Sequence, residues 1–447
     1  MKISDLTWRV YRVPFRKPFI TAHGPLGERV GVVVSLRTDA GYVGHGEIAP
    51  LPSQSGTSLD AALRALPGVA YALRGCELPN VEGEHISPNG IAGRSADRAH
   101  ARGRPYYGRR ICSVQKFFQE PALLRSLART RPIRRVDQPP SIVGASACPR
   151  PARPTQLDED ARCHESVLMC GLETALLDVI GQASGQSVAA LLARVSSPGK
   201  GCEISVPRAS VPVNTVIGGA TLEEMVTQAR VAVKAGFGCL KLKIMGASEK
   251  DISRVAEVRA AIGPEPRLRL DANEGWSFEQ ASAILPRLAP YDIGYIEQPL
   301  PAADLAGMAR LRRVSPIPLA ADEALTGLES ALSVLDAEAA DVLILKPQLA
   351  GGLLACRDII QIASERNVAC VITSTLEAGI GVAAALHLAA SSPTITLPCG
   401  LATLDLLEDD LLEDGLRIEQ GCMAVPRGPG LGVTLDEDAL KCSTLLL

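Results

Sequence analysis

The chain is 447 residues long, 47% hydrophobic and 21% charged, with a formal net charge of -3. That length suits two domains with a sizeable core, and the charge balance speaks against nucleic acid or an anionic membrane as a whole-chain partner. No apolar run approaches the ~18 residues of a membrane span, and MKISDLTWRVYRVPF carries no apolar signal-peptide core. Twelve cysteines without a C-x-x-C pair signal neither a zinc ribbon nor a thioredoxin motif. A reducing cytoplasm fits such a chain better than a disulfide scaffold.

Residues 1–55 alternate like antiparallel strands, at 4–13 and 31–38, with Asp39-Ala40-Gly41 as a turn. Gly44-His45-Gly46-Glu47 leads into Pro50-Leu51-Pro52, and Ser58 is placed to cap a helix running toward Arg74. Residues 81–165 read differently. There 14 Arg and one Lys stand against nine acids, nine prolines interrupt the run, and only 117–127 shows a helical pattern. A structureless stretch of that length is foreign to a compact domain. A basic arm for nucleic acid is the weakest reading; a solvated insertion and an altered reading frame both produce such text and stay undivided. The spacing of Leu172, Ala175, Leu176, Val179 and Ile180 then predicts a buried-face helix over 167–192.

A strand at 205–216 opens a strict alternation. Helices are predicted at 222–235, 249–262, 277–288, 302–314, 327–335, 352–366 and 380–390, with short apolar runs between them. With 396–399 as the last run, about eight strands alternate with helices, which points to a parallel sheet. Eight units favour a closed β/α barrel over an open sheet, and no G-x-G-x-x-G marks a dinucleotide turn.

A polar residue stands just past the end of each run: Lys243, Asp271, Glu297, Asp322, Lys346 and Ser374, at steps of 28, 26, 25, 24 and 28 residues. In a β/α barrel those positions ring the mouth where chemistry is done. Asp271, Glu297 and Asp322, on consecutive strands, repel one another unless a cation neutralises them. Hard oxygen donors without His or Cys favour Mg2+, with Mn2+ as a substitute. A lone Asp at a strand end more often caps the next helix; three in register do not. Lys241 and Lys243 are two apart on one strand and share a face. Mutual repulsion and desolvation lower the pKa of such a pair, which makes a base near neutral pH. Lys346, three strands beyond Asp271, is expected across the mouth from Lys243. The pattern fits removal of the proton alpha to a substrate carboxylate.

The set Lys241-x-Lys243, Asp271-Ala272-Asn273, Glu297-Gln298-Pro299, Asp322-Glu323 and Lys346-Pro347 resembles the muconate lactonising subgroup of the enolase superfamily, the known example of lysine bases working with Mg2+. Within it the chain is most similar to the o-succinylbenzoate synthase family, in Gly46-Glu47-Ile48-Ala49-Pro50-Leu51-Pro52, Arg269-Leu270-Asp271-Ala272-Asn273 with Trp276, Ile344-Leu345-Lys346-Pro347, Ile372-Thr373-Ser374-Thr375-Leu376-Glu377 and Gly400-Leu401-Ala402-Thr403-Leu404-Asp405. The resemblance covers about 1–80 and 166–440, while 81–165 departs from the family's shorter helical connection. It implies a (β/α)7β TIM barrel over 206–404, an α+β capping domain over 1–205, and a tail, 405–447, that returns to the cap.

The same resemblance implies Mg2+-dependent dehydration of a succinyl-hydroxycyclohexadiene carboxylate to o-succinylbenzoate, for menaquinone or phylloquinone synthesis. Lys243 would take the alpha proton, Lys346 would steady the enediolate, and Lys241 would tune Lys243. Asn273, Glu323, Ser374, Thr375 and the Gly351-Gly352 backbone would support or line the substrate site, a plain strand-to-helix turn being an equal reading of the two glycines. The stretch 19–24 resembles the family's capping loop, with His23 read as a loop residue. N-acylamino acid racemases and dipeptide epimerases share the lysine pair, but the epimerase's Asp-x-Asp pair is missing from Ala402-Thr403-Leu404-Asp405. A barrel that binds ligands without turnover is the non-enzyme alternative. The expected partner is a small carboxylate, and the residues leave a homo-oligomer open.

Overall fold

The computed structural model describes residues 1–21, 24–51, 58–78, 156–193, 206–219, 221–244 and 246–444. His23 and the 81–165 segment lie outside the described residues, save for the backbone of 156–165. Strands β1 (Ile3–Thr21), β2 (Gly24–Thr38) and β3 (Val43–Ile48) form an antiparallel sheet in that order. Ser58 caps α1 (Leu59–Leu73), its side chain accepting from the Ala61 amide. Helix α2 (Gln156–Ser184) packs across β3. A side chain at Gly46 would collide with the Gly171 carbonyl, so this close approach needs glycine.

The helix expected over 167–192 is two helices. Gly185, at φ 66°, ends α2, and α3 (Val188–Ala193) follows. Within α2, Ser166–Ser184 is long and apolar enough to cross a membrane by length and composition, which corrects the expectation that no run is. Because 78% of its apolar window is buried inside the fold, it serves as a core helix.

The strand expected at 205–216 also divides. In β4 (Ser210–Pro212) the chain pairs with the tail, and in β5 (Thr215–Ile217) with the barrel. Then come α4 (Leu222–Lys234), β6 (Cys239–Lys243), α5 (Glu249–Ile262), β7 (Arg267–Asp271), α6 (Phe278–Leu288) and β8 (Ile293–Glu297). The alternation continues with α7 (Leu305–Val314), β9 (Leu319–Ala321), α8 (Leu328–Asp336), β10 (Val342–Leu345), α9 (Leu353–Glu365), β11 (Ala369–Ile372) and α10 (Gly379–Ser391). Local chemistry starts these helices. Capping boxes join Thr221 to Glu224 and Ser277 to Gln280. Helix α7 begins at Leu305, later than its apolar pattern suggests, because the Asp304 carboxylate accepts the Gly307 amide at 2.8 Å.

Strands β5 to β11 are hydrogen-bonded in sequence order, all parallel. Two single bridges, Thr373 with Gly400 and Val213 with Cys399, close the circle. This is a TIM barrel whose eighth strand, expected at 396–399, is reduced to those bridging residues. Pro398, with no amide to donate, limits the ladder there. Leu240 and Leu242 are fully buried in the large core, while Tyr295, Ala320, Ile344 and Val371 form a separate apolar cluster. In the tail, β12 (Ile418–Glu419) and β13 (Cys422–Ala424) extend a sheet onto β4. Helix α11 (Glu437–Ser443) lies against β1, with Arg9 Nη1 2.6 Å from Glu437 Oε2.

Candidate active site

The carboxyl ends of the barrel strands open on one cavity of about 300 Å³. Lys241 and Lys243 of β6, Asp271 of β7 and Glu297 of β8 line it. Asp322 and Lys346, each one residue past its strand, complete the set. The register pairs Lys243 with Asp271 and Asp271 with Glu297, so these side chains leave adjacent strands at one level. Asn273, Glu323, Ser374 and Thr375 line the same cavity, as do Phe19 of β1 and Leu51, three residues past β3. Gly351 and Gly352 do not line it. At φ 92° and 118° they make the turn into α9, and a Cβ on Gly352 would stand 2.6 Å from Glu173 Oε1. Of the two readings of these glycines, the strand-to-helix turn is the one this geometry describes.

The three carboxylates are each at most 4% exposed. Lys241 Nζ lies 2.9 Å from Asp271 Oδ2 and 2.6 Å from Glu297 Oε1. Lys346 Nζ lies 2.7 Å from Asp322 Oδ2. Among the described residues no three acid, His or Cys side chains already close on one point; the acids are turned onto the lysines instead. Burial pushes the Glu297 carboxyl up to about 8, Lys241 offsetting part of the effect while Asp271 and Asp322 crowd it. Burial acts the same way on Asp322, but Lys346 and Lys241 outweigh it and hold that carboxyl below its usual range. For Lys241, burial disfavours the charge, yet Asp271 and Glu297 outweigh burial and hold the ammonium well above its ordinary value.

Lys243 differs. Burial draws its pKa down, Asp271 offsets only part of that, and the charge of Lys241 adds to it. No acid lies within ion-pair distance of it among the described residues, and its Nζ stands 5.4 Å from the Phe19 ring centroid. The donor set fits a hard divalent cation: three buried carboxylates on adjacent strands, all oxygen, whose charge would otherwise rest on ammonium groups alone.

Two contacts beside the cavity went unread in the sequence. Arg269, two residues before Asp271 and so on its face, stacks over Tyr295 at 4.7 Å. Its Nη1 donates to the Pro398 carbonyl at 2.7 Å, tying β7 to the shortened eighth strand. Period-two alternation from Asp271 was the available signal. Thr403 joins Ser374, hydroxyl to hydroxyl, at 2.8 Å, a pairing that no local pattern announces.

Residues 224–439 match the family described as enolase C-terminal domain-like. The o-succinylbenzoate synthase of Thermobifida fusca is 38% identical over 223 residues, 49% of this chain and 68% of that protein. Muconate cycloisomerase 1 of Rhodococcus opacus is 36% identical over 241 residues, 53% of this chain and 64% of that protein. Among solved structures, a dipeptide epimerase from Enterococcus faecalis, complexed with Mg and L-Leu-L-Tyr, superposes with a TM-score of 0.74 at 23% identity. That superposition covers 97% of this chain and 100% of the other. A barrel of this topology, a capping sheet that reaches its mouth and relatives of this similarity place the chain as an enzyme of the enolase superfamily, in its muconate lactonising subgroup.

Proposed function

We propose that this enzyme is an o-succinylbenzoate synthase, a lyase that removes water from 2-succinyl-6-hydroxy-2,4-cyclohexadiene-1-carboxylate. The observation that carries the reading is Lys243. It is the one lysine of the cavity without a carboxylate partner among the described residues, and burial favours its neutral, proton-accepting form. Asp271, Glu297 and Asp322 would hold Mg2+, which when bound offsets the charge of the substrate carboxylate and of its enediolate form. Lys243 takes the proton alpha to that carboxylate and returns a proton to the departing hydroxyl, so one water leaves and the ring becomes aromatic. Lys346 holds positive charge beside the enediolate, and Lys241 keeps two of the acids in place and discourages a second ammonium next to it. Asn273, Glu323, Ser374 and Thr375 support or contact the substrate.

We read 1–205 as the cap, 206–404 as the barrel and 405–447 as the returning tail, in a cytoplasmic enzyme of menaquinone or phylloquinone synthesis. Racemisation of N-succinylamino acids is the second reading, because the same pair of lysines serves a proton transfer without loss of water. Dipeptide epimerisation is disfavoured: Asp405 is exposed and does not line the cavity, so the 402–405 stretch supplies no acid pair for a substrate ammonium.

A paired assay of the purified enzyme on the cyclohexadiene substrate and on N-succinylamino acids tests the assignment. Dehydration should dominate. Lys243→Ala should lower it by at least about a thousandfold while Mg2+ binding, followed by calorimetry, persists. Turnover by that variant at the wild-type rate rules out the mechanism.

A further inference from the structure

Arg29 lies on β2, is 2% exposed and does not line the cavity. A buried guanidinium is costly unless its donors are met. No carboxylate lies within ion-pair distance of it among the described residues. Its donors meet backbone carbonyls instead: Nε to Leu376 at 2.9 Å, Nη1 to Pro50 and Nη2 to Ala49, both at 2.5 Å. A planar fork suits this task, since one rigid group can hold two segments at a set spacing.

Both segments feed the cavity. Leu51 follows the two carbonyls at 49 and 50, and Leu376 carries the third; each side chain is part of the cavity wall. Leu376 sits at φ 65°, a left-handed conformation that a leucine keeps only where its surroundings hold it. The residues beside it are held in the same way. The Glu47 carboxylate accepts the Tyr11 hydroxyl and the amides of Ala378 and Gly381, both at 2.8 Å. Gln348 donates to the Glu47 carbonyl at 2.8 Å and accepts the Ala49 amide at 3.1 Å. The N-terminal sheet thus grips the β11–α10 loop and the 49–51 segment together, with Arg29 as the group that bonds both.

We infer that Arg29 is a positioning residue for substrate fit: through the carbonyls of Ala49, Pro50 and Leu376 it sets the wall made by Leu51 and Leu376, without touching reacting atoms. The inference rests on the reading of the cavity as the substrate site. Such a group contributes to binding of the substrate body more than to the proton transfer, so its loss should divide KM from kcat.

The test uses the full enzyme with Mg2+ and the cyclohexadiene substrate. Arg29→Met should raise KM at least about tenfold and change kcat less than about threefold. Arg29→Lys, which keeps a charge but has no fork, should fall between the two. Hydrogen exchange should quicken at least about tenfold at the amides of 376–378 and stay unchanged in β6. A folded Arg29→Met enzyme with unchanged KM, or with 376–378 as protected as before, overturns the inference. So does an equal loss in kcat and kcat/KM. If Arg29→Met does not fold, Arg29→Lys is judged by the same split. If the wild-type enzyme turns over no cyclohexadiene substrate, the assigned reaction fails, and the exchange measurement alone decides the role of Arg29.

Discussion

Lys241 and Lys243 have the same side chain and share one strand face, yet their surroundings pull them apart. Lys241 faces two acids and stays charged; Lys243 faces the Phe19 ring. Their places at the mouth were legible from the strand pattern, whereas their division of labour came only from the family resemblance. Phe19, which stands over Lys243, belongs to β1 and reaches the barrel only through folding. Removing the ring should loosen the wall over Lys243 and admit water. With the wall over the base loosened, Phe19→Ala should lower kcat/KM roughly tenfold. Phe19→Leu, which keeps the bulk, should recover part of that. Steady-state kinetics of the two variants checks it, and equal, wild-type values for both would remove Phe19 from the site.

At the scale of elements, the joint between α2 and α9 shows how a helix end is held. Glu173 of α2 accepts the amides of Leu353 and Leu354, the first residues of α9. Gly352 lies against that carboxylate at φ 118°. Gly352→Ala should cost about 2–4 kcal/mol in urea unfolding, while kcat/KM per folded molecule stays at the wild-type value. A raised KM would instead return Gly352 to the substrate wall.

Glu173 also titrates abnormally, its carboxyl pushed up to about 7 by burial, with the Leu354 and Leu353 amides offsetting part of that. Its folded pKa exceeds the unfolded value near 4.5. Between the two, the folded state keeps a proton that the unfolded chain has released, so stability present at low pH is lost as pH rises. Glu173→Gln has no such loss. From pH 4.5 to 7 the stability difference should move in favour of the variant by on the order of 3 kcal/mol. Denaturation at several pH values measures it, and a difference that does not change with pH refutes the assignment.

For the whole molecule, the cation expected between the acids links chemistry to stability. Binding to the folded state alone adds about 2.7 kcal/mol at a hundredfold excess over Kd. Mg2+ should therefore raise Tm by several degrees and chelator should reverse both the shift and turnover; Asp322→Asn should blunt the shift. Thermal scans with and without Mg2+ decide this, and full turnover in chelator would contradict it.

The one-dimensional pattern carried the barrel and the ring of Lys, Asp and Glu at its mouth. Strand and helix periods are local, and a residue one step past a parallel barrel strand can only stand at that mouth. The pattern could not say that the eighth strand shrinks to two bridges or that Ser184 ends one helix before another begins. Nor could it show Phe19 over Lys243 or Arg29 bonded to the carbonyls of Ala49, Pro50 and the distant Leu376. Those facts depend on distances between segments far apart in sequence, which only the packed tertiary structure sets.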